Sequence, residues 1–168
     1  SELNIVNSTQ VAMAAIGTFC HEYSHTMGLP DLYDTDYQTG GYAATLWSST
    51  SLMDGGAYNN NGNTPPYFNA IEREIMQLSK PVLLTTTGKY SIAPIEQGQY
   101  YRLDSDNPGE YFLFECRSLS GWDRYIGGCG MLAYHVDRSM NDAGFSALYN
   151  QNVTAADRWG SGNQVNAF

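Results

Sequence analysis

An α+β fold is predicted by three features of the sequence. Two segments with helical spacing of apolar residues lie within residues 1–80, and short strand-like runs separated by turn residues fill 81–137. No internal repeat or low-complexity stretch interrupts either part, so helices packed beside a sheet of short strands are the expected architecture. At 168 residues the chain is of single-domain size, large enough to bury most of its apolar surface without staples. It is read as one domain, or part of one, ending in a polar tail over 138–168 to which no structure is assigned and in which Trp159 is the strong anchor.

Taken in order, Ser8 or Thr9 can cap a first helix whose apolar positions Val11, Ala12, Ala15, Ile16 and Phe19 recur at intervals of three and four. This helix is expected to be largely buried and to run into His21-Glu22-Tyr23-Ser24-His25. There His21 and His25 lie one turn apart, about 6 Å along the axis, so both imidazoles reach one ion. Glu22 points about 100° further round the helix, where it holds a metal-bound water and does not bind the metal. Gly28 stands where a helix end favours a left-handed residue, and Pro30 does not easily extend the helix. The chain is therefore predicted to turn back and bring up Asp31 as third ligand, with Asp34 or Asp36 as alternatives. Two neutral histidines and one carboxylate leave a fourth position for water, the open set of a catalytic zinc site. Zinc brings that water's pKa near neutrality, and Glu22 takes its proton as it attacks a polarised carbonyl. The blander reading is a core helix with incidental histidines. It is disfavoured because two of the chain's three histidines fall at this spacing, with Glu between them and Gly after.

Residues 29–63 read as a long irregular loop rich in Gly, Asn, Asp, Ser and Tyr, too long for a mere connection and of the kind that carries sites. Within it Ser51-Leu52-Met53-Asp54-Gly55-Gly56 sets a methionine directly before turn residues. Pro65 and Pro66 open a second helix with Ile71, Ile75 and Leu78 on one stripe, closed by Pro81. Strands are then predicted at 82–86, 89–95, 99–104, 110–117 and 129–136, forming an antiparallel sheet beside the helices. His135 stands at a strand end, where a structural hydrogen bond is the plain reading and a place in the cleft the alternative. Asp31, Asp34 and Asp36 would suit calcium, although a solvated acidic loop explains them as well.

The net charge of −9, with eight Lys and Arg in all, argues against nucleic acid and against anionic membrane surfaces. No apolar run is long enough to span a membrane. Three cysteines are too few for a disulfide-built fold. Cys116 and Cys129 flank an expected hairpin loop and are either bridged or two reduced core residues, and Cys20 reads as a small packed hydrophobe.

The runs His21 to Asp34 (H-E-Y-S-H-T-M-G-L-P-D-L-Y-D), Ser-Leu-Met-Asp, and Gly130 to Asp137 (G-M-L-A-Y-H-V-D) together resemble the secreted immune-inhibitor-A-like metalloproteases. The first run also resembles the long metzincin signature H-E-x-x-H-x-x-G-x-x-H, with Asp31 in the last place. The resemblance implies a zinc endopeptidase of metzincin-like architecture, exported from a bacterium as a secreted or cell-surface protein. It implies His21, His25 and Asp31 as ligands, Glu22 as base and Met53 as the Met-turn beneath the histidines. Two residues depart from the pattern: Ser24 stands where the family often has Gly, and no Tyr follows two residues after Met53. Tyr58 is then the candidate for oxyanion stabilisation. A protein or peptide substrate follows; a silent binding module that keeps the fold without cleavage is the competing class. The resemblance also implies a substrate-binding sheet ahead of the first helix. Since every strand predicted here follows the motif, the chain is expected to be part of a longer precursor, with an upstream segment completing the cleft and an apolar face of the first helix left exposed.

Overall fold

The structure, a computed structural model, describes residues 5–7, 10–11, 15–33, 47–137 and 166–167. Its elements are β1 (Ile5–Asn7), β2 (Gln10–Val11), α1 (Ile16–Thr26), α2 (Ala70–Ile75), β3 (Val82–Leu83), β4 (Tyr101–Asp104), β5 (Glu110–Arg117), β6 (Gly130–Asp137) and β7 (Asn166–Ala167). This is an α+β arrangement. β1 and β2 form an antiparallel pair, and the remaining strands make one sheet in the order β3-β4-β5-β6-β7. Among the described residues no helix is long and apolar enough to cross a membrane.

α1 starts later than the apolar spacing predicts. Val11 pairs with Ile5 in the β1–β2 ladder, and Ala15 is extended (φ −64°, ψ 145°) with no side-chain cap. The expected caps Ser8 and Thr9, and Ala12, lie outside the described residues. Backbone packing sets the helix start. The Gly17 N–H donates to the Gly62 carbonyl at 2.7 Å, and a Cβ on Gly17 would come within 2.0 Å of the Ala57 carbonyl oxygen. Glycine weakens a helix by about 1 kcal/mol relative to alanine; here it lets α1 rest directly on the 57–62 backbone. Gly17→Ala should therefore cost about 1–3 kcal/mol or more by overpacking against backbone and lift α1 off its seat. A thermal melt with metal-competition titration checks this, and unchanged values would show that α1 does not sit there. The expected burial of the helix is not found: Gly17 and Ser24 are its buried residues, while Phe19 (64% exposed) and Tyr23 (56%) stack on each other facing out, with Ile16 and Met27 also exposed.

α2 also begins late, at Ala70, four residues beyond Pro66. A capping box fixes it: Asn69 Oδ1 accepts from the Glu72 N–H, and Glu72 Oε2 accepts from the Asn69 N–H. Ile71 is buried, whereas Leu78 lies past the helix and is exposed.

In the sheet β5 and β6 match their predicted extents to within a residue or two, in register from Glu110 opposite Asp137 to Arg117 opposite Gly130. The sheet is mixed, because β3 runs parallel to β4; the 84–100 connection is long enough for the crossover a parallel pair needs. Residues 89–95 do not form a strand. Pro94, which has no N–H to give a ladder, makes only an isolated bridge to Cys116, and Ile95–Gln97 coil into a 3₁₀ turn. All three cysteines are free thiols, and Cys116 sits opposite Met131 with no bridge to Cys129.

The core joins Leu29, Leu32, Leu52, Met53, Ile71, Leu113, Tyr134 and Val136. β5 alternates strictly, and its buried face carries Tyr111, Leu113, Glu115 and Arg117. The two charged residues enter a closed network. Arg117 grips Asp123 through Nε (2.8 Å) and Nη2 (2.7 Å), while Nη1 reaches Glu115 and the Thr50 carbonyl and Nη2 the Tyr67 carbonyl. Glu115 also accepts from the Tyr134 hydroxyl and the Ala70 N–H. Burial alone would lower the Arg117 pKa, but Glu115 and Asp123 reverse that and hold the guanidinium charged.

Candidate metal centre

α1 ends in a Schellman motif. Gly28, at φ +95°, donates to the His25 carbonyl, and Leu29 donates to the Ser24 carbonyl. That reversal carries the chain back beneath the helix and delivers Asp31. Its Oδ1 lies 3.0 Å from His21 Nε2 and 3.4 Å from His25 Nε2. Ligands bound at about 2.0–2.1 Å in a tetrahedron stand about 3.3 Å apart, so these separations fit the edges of a zinc polyhedron. His21, His25 and Asp31 form the one grouping of three or more potential donors found among the described residues. Asp34 and Asp36 lie outside those residues.

Each imidazole is aimed by its other nitrogen. His21 Nδ1 donates to the Leu52 carbonyl at 2.9 Å, and His25 Nδ1 donates to the Leu29 carbonyl at 2.7 Å. Because a carbonyl oxygen only accepts, both Nδ1 atoms carry protons, which turns both Nε2 atoms toward Asp31 and makes them the atoms available for ligation. Burial lowers the His21 pKa, yet the Asp31 hydrogen bond, the Leu52 carbonyl and the charges of Asp31 and Glu22 outweigh it and raise the pKa above its ordinary value. The site's field thus favours positive charge at the point where Nε2 and Oδ1 converge. That is the electrostatic requirement of a cation site, and the donor set fits zinc.

Met53, the residue after Leu52, is fully buried in the core. Its carbonyl accepts from the Leu32 N–H at 2.9 Å, next to Asp31, and its own N–H donates to Glu72 Oε1 at 3.0 Å. Glu72 also accepts from the Ser51 hydroxyl at 2.7 Å. Burial raises the Glu72 carboxyl pKa, and these donors offset it only in part. Spacing alone does not single out Glu72 as a support for the site, although its place three residues after Asn69 is a legible capping-box signal. Met53→Ala should cost about 2–5 kcal/mol, the range for emptying a buried methionine side chain. An unchanged melting temperature would show that the site does not rest on Met53.

Glu22 is solvent-exposed and shares with His21 and Thr18 one wall of a cavity of about 390 Å³. Asp54, Gly55, Tyr58 and Tyr33 form the rest. Tyr58 is at the rim, 73% exposed. His135 is elsewhere: on β6 it stacks on Phe112 and its Nε2 lies 2.6 Å from Glu110 Oε1, and it does not line this cavity. Ser24 is buried and donates to the Cys20 carbonyl, and Cys20 packs partly against the core.

Residues 5–81 match the family described as immune inhibitor A peptidase M6, catalytic domain. Immune inhibitor A of Bacillus thuringiensis subsp. alesti is 42% identical over 65 residues, covering 38% of this chain and 9% of that protein. The pre-pro-metalloprotease PrtV of Vibrio cholerae serotype O1 (strain M66-2) is 37% identical over 68 residues, covering 39% of this chain and 7% of its own length. The aligned part of the chain thus spans less than a tenth of these relatives. No solved structure gives a significant match.

Proposed function

From a family match that covers every residue of the metal centre, we propose that this chain carries the catalytic centre of a zinc-dependent endopeptidase. The observation that carries the reading is the convergence of His21 Nε2, His25 Nε2 and Asp31 Oδ1, with Glu22 beside them on an open cavity. Zinc, when bound, supplies Lewis-acid polarisation of the peptide carbonyl and acidifies the attacking water. The protein does the rest. Asp31 and the two histidines hold the ion, and the Leu52 and Leu29 carbonyls keep the rings in the ligating tautomer. Glu22 accepts the proton of the attacking water and returns it to the leaving amine. Tyr58, on the rim, is the candidate donor to the developing oxyanion. Met53 fills the floor, and the substrate is a protein or peptide.

A silent binding module would be favoured by a lost ligand or a lost base, and all four residues are present. Calcium is not part of the reading, since the donor grouping described is two imidazoles and a carboxylate, not an all-oxygen set. We place the protein outside a bacterial cell, secreted or at its surface, in keeping with a relative whose name is that of a pre-pro-protein.

The test is metal analysis of the purified chain and of two variants. One zinc per chain is expected. Asp31→Ala should weaken zinc binding by about two orders of magnitude or more, while Asp34→Ala should leave it nearly unchanged. The reverse order would move the third ligand to Asp34, and zinc bound without either histidine would end the proposal.

A further inference from the structure

Glu72 is fully buried in the first turn of α2, and its two carboxyl oxygens serve different partners. Oε2 accepts the Asn69 N–H at 2.7 Å and completes the capping box. The helix accounts for that oxygen. Oε1 takes no part in the cap: it accepts the Ser51 hydroxyl at 2.7 Å and the Met53 N–H at 3.0 Å. Burial raises the carboxyl pKa, and the three donors and the Arg117 charge work against it in favour of the ionised form.

The Met53 N–H belongs to the same peptide group as the Leu52 carbonyl, and in a trans peptide the two point in opposite directions. On the other side that carbonyl accepts the His21 Nδ1 proton at 2.9 Å. A line of hydrogen bonds therefore runs from the Glu72 carboxylate through one peptide group to the His21 ring, whose Nε2 faces Asp31. Such lines polarise along their length. Negative charge at Glu72 makes the Leu52 carbonyl a stronger acceptor, and a stronger acceptor on Nδ1 makes Nε2 a more basic ligand. The Met53 carbonyl accepts the Leu32 N–H at 2.9 Å, so the same anchored segment also holds the chain beside Asp31. His25 stands apart from this line, because its Nδ1 donates to Leu29, four residues on.

We propose that Glu72 is a positioning residue of the metal centre: through the Leu52–Met53 peptide it orients the His21 imidazole and strengthens Nε2 as a ligand. The inference rests on the zinc reading above and deepens it.

The experiment combines ring-nitrogen NMR of the metal-free chain, at an alkaline pH where both histidines are neutral, with zinc affinity measured by competition. Glu72→Gln should move the His21 Nδ1 resonance toward that of free imidazole, leave His25 in place, and weaken zinc binding about tenfold, the low end for a group acting through a ligand's partner. Asn69→Ala breaks the capping box from its other side without touching Oε1, and should leave the His21 resonance and the zinc affinity nearly unchanged. Ser51→Ala keeps the question decidable if Glu72→Gln does not fold. Relieved of one of its two donors, Oε1 draws harder on the Met53 N–H, and the His21 resonance should move the opposite way. Equal shifts in Glu72→Gln and Asn69→Ala would overturn the proposal and reduce Glu72 to a helix cap; so would a His21 resonance that stays in place in Glu72→Gln or in Ser51→Ala. The resonances are read without metal, which separates the two readings. The expected shifts in a chain that binds no zinc fail the metal reading and keep the hydrogen-bond line, whereas zinc bound as tightly by Glu72→Gln, with His21 unmoved, keeps the metal reading and fails the line.

Discussion

Glu22→Gln should leave zinc bound and lower peptide hydrolysis by about 10²–10⁴-fold, the range general-base catalysis contributes. The amide still hydrogen-bonds a water at the same place but cannot take its proton. The donors are positioned without the Glu22 carboxylate: His21 and His25 are aimed by the Leu52 and Leu29 carbonyls, and Asp31 is delivered by the turn at Gly28. Metal content and melting temperature should therefore match the parent while turnover falls. A Glu22→Gln variant with substantial activity would place the base elsewhere; one that lost its zinc would show that Glu22 ligates.

Arg117→Met should have the largest effect on folding, about 3–5 kcal/mol, because it removes one partner of a buried charge network and leaves the others uncompensated. The Arg117 side chain is 1% exposed and its carboxylate partners no more than 2%. Without it Glu115 and Asp123 are buried carboxylates, and the Thr50 and Tyr67 carbonyls lose a donor. Those contacts tie the sheet to the 3₁₀ turn at Ser48–Thr50 and to the approach to α2. The loss should therefore reach the Met53 segment and weaken metal binding as well as stability. Denaturant unfolding measures the first effect and zinc competition the second. A change under 1 kcal/mol would show that the network is dispensable.

The convergence of His21, His25 and Asp31 was legible in the sequence because the signals for it are local. Two histidines at helical spacing, a Glu between them, and a Gly that must turn left-handed are all readable from side-chain type alone. β5 and β6 were legible because a strictly alternating or apolar run between Gly and Asn admits few other conformations. What the sequence hid is settled by long-range contact. The start of α1 follows from Gly17 lying against residues 57–62, which no spacing within the helix announces. The roles of Glu72, Glu115 and Arg117 were hidden because charged residues are read as solvent-facing until partners 19 to 67 positions away bury them. The parallel β3–β4 pair and the 3₁₀ turn at Ile95–Gln97 fell the same way: each strand signal was too short to fix direction without its neighbour.

All three proposed metal donors fall within eleven residues, from His21 to Asp31, and this has a thermodynamic consequence. Closing so short a loop costs little entropy, so the denatured ensemble can also gather these side chains around an ion as a loose chelate. Zinc then stabilises the native chain only by the ratio of its affinities for the two ensembles. Its protective effect against heat should fall short of what the native dissociation constant alone would give. The same local chelate can form early in folding, before Leu52, Leu29 and Glu72 have taken their places around it.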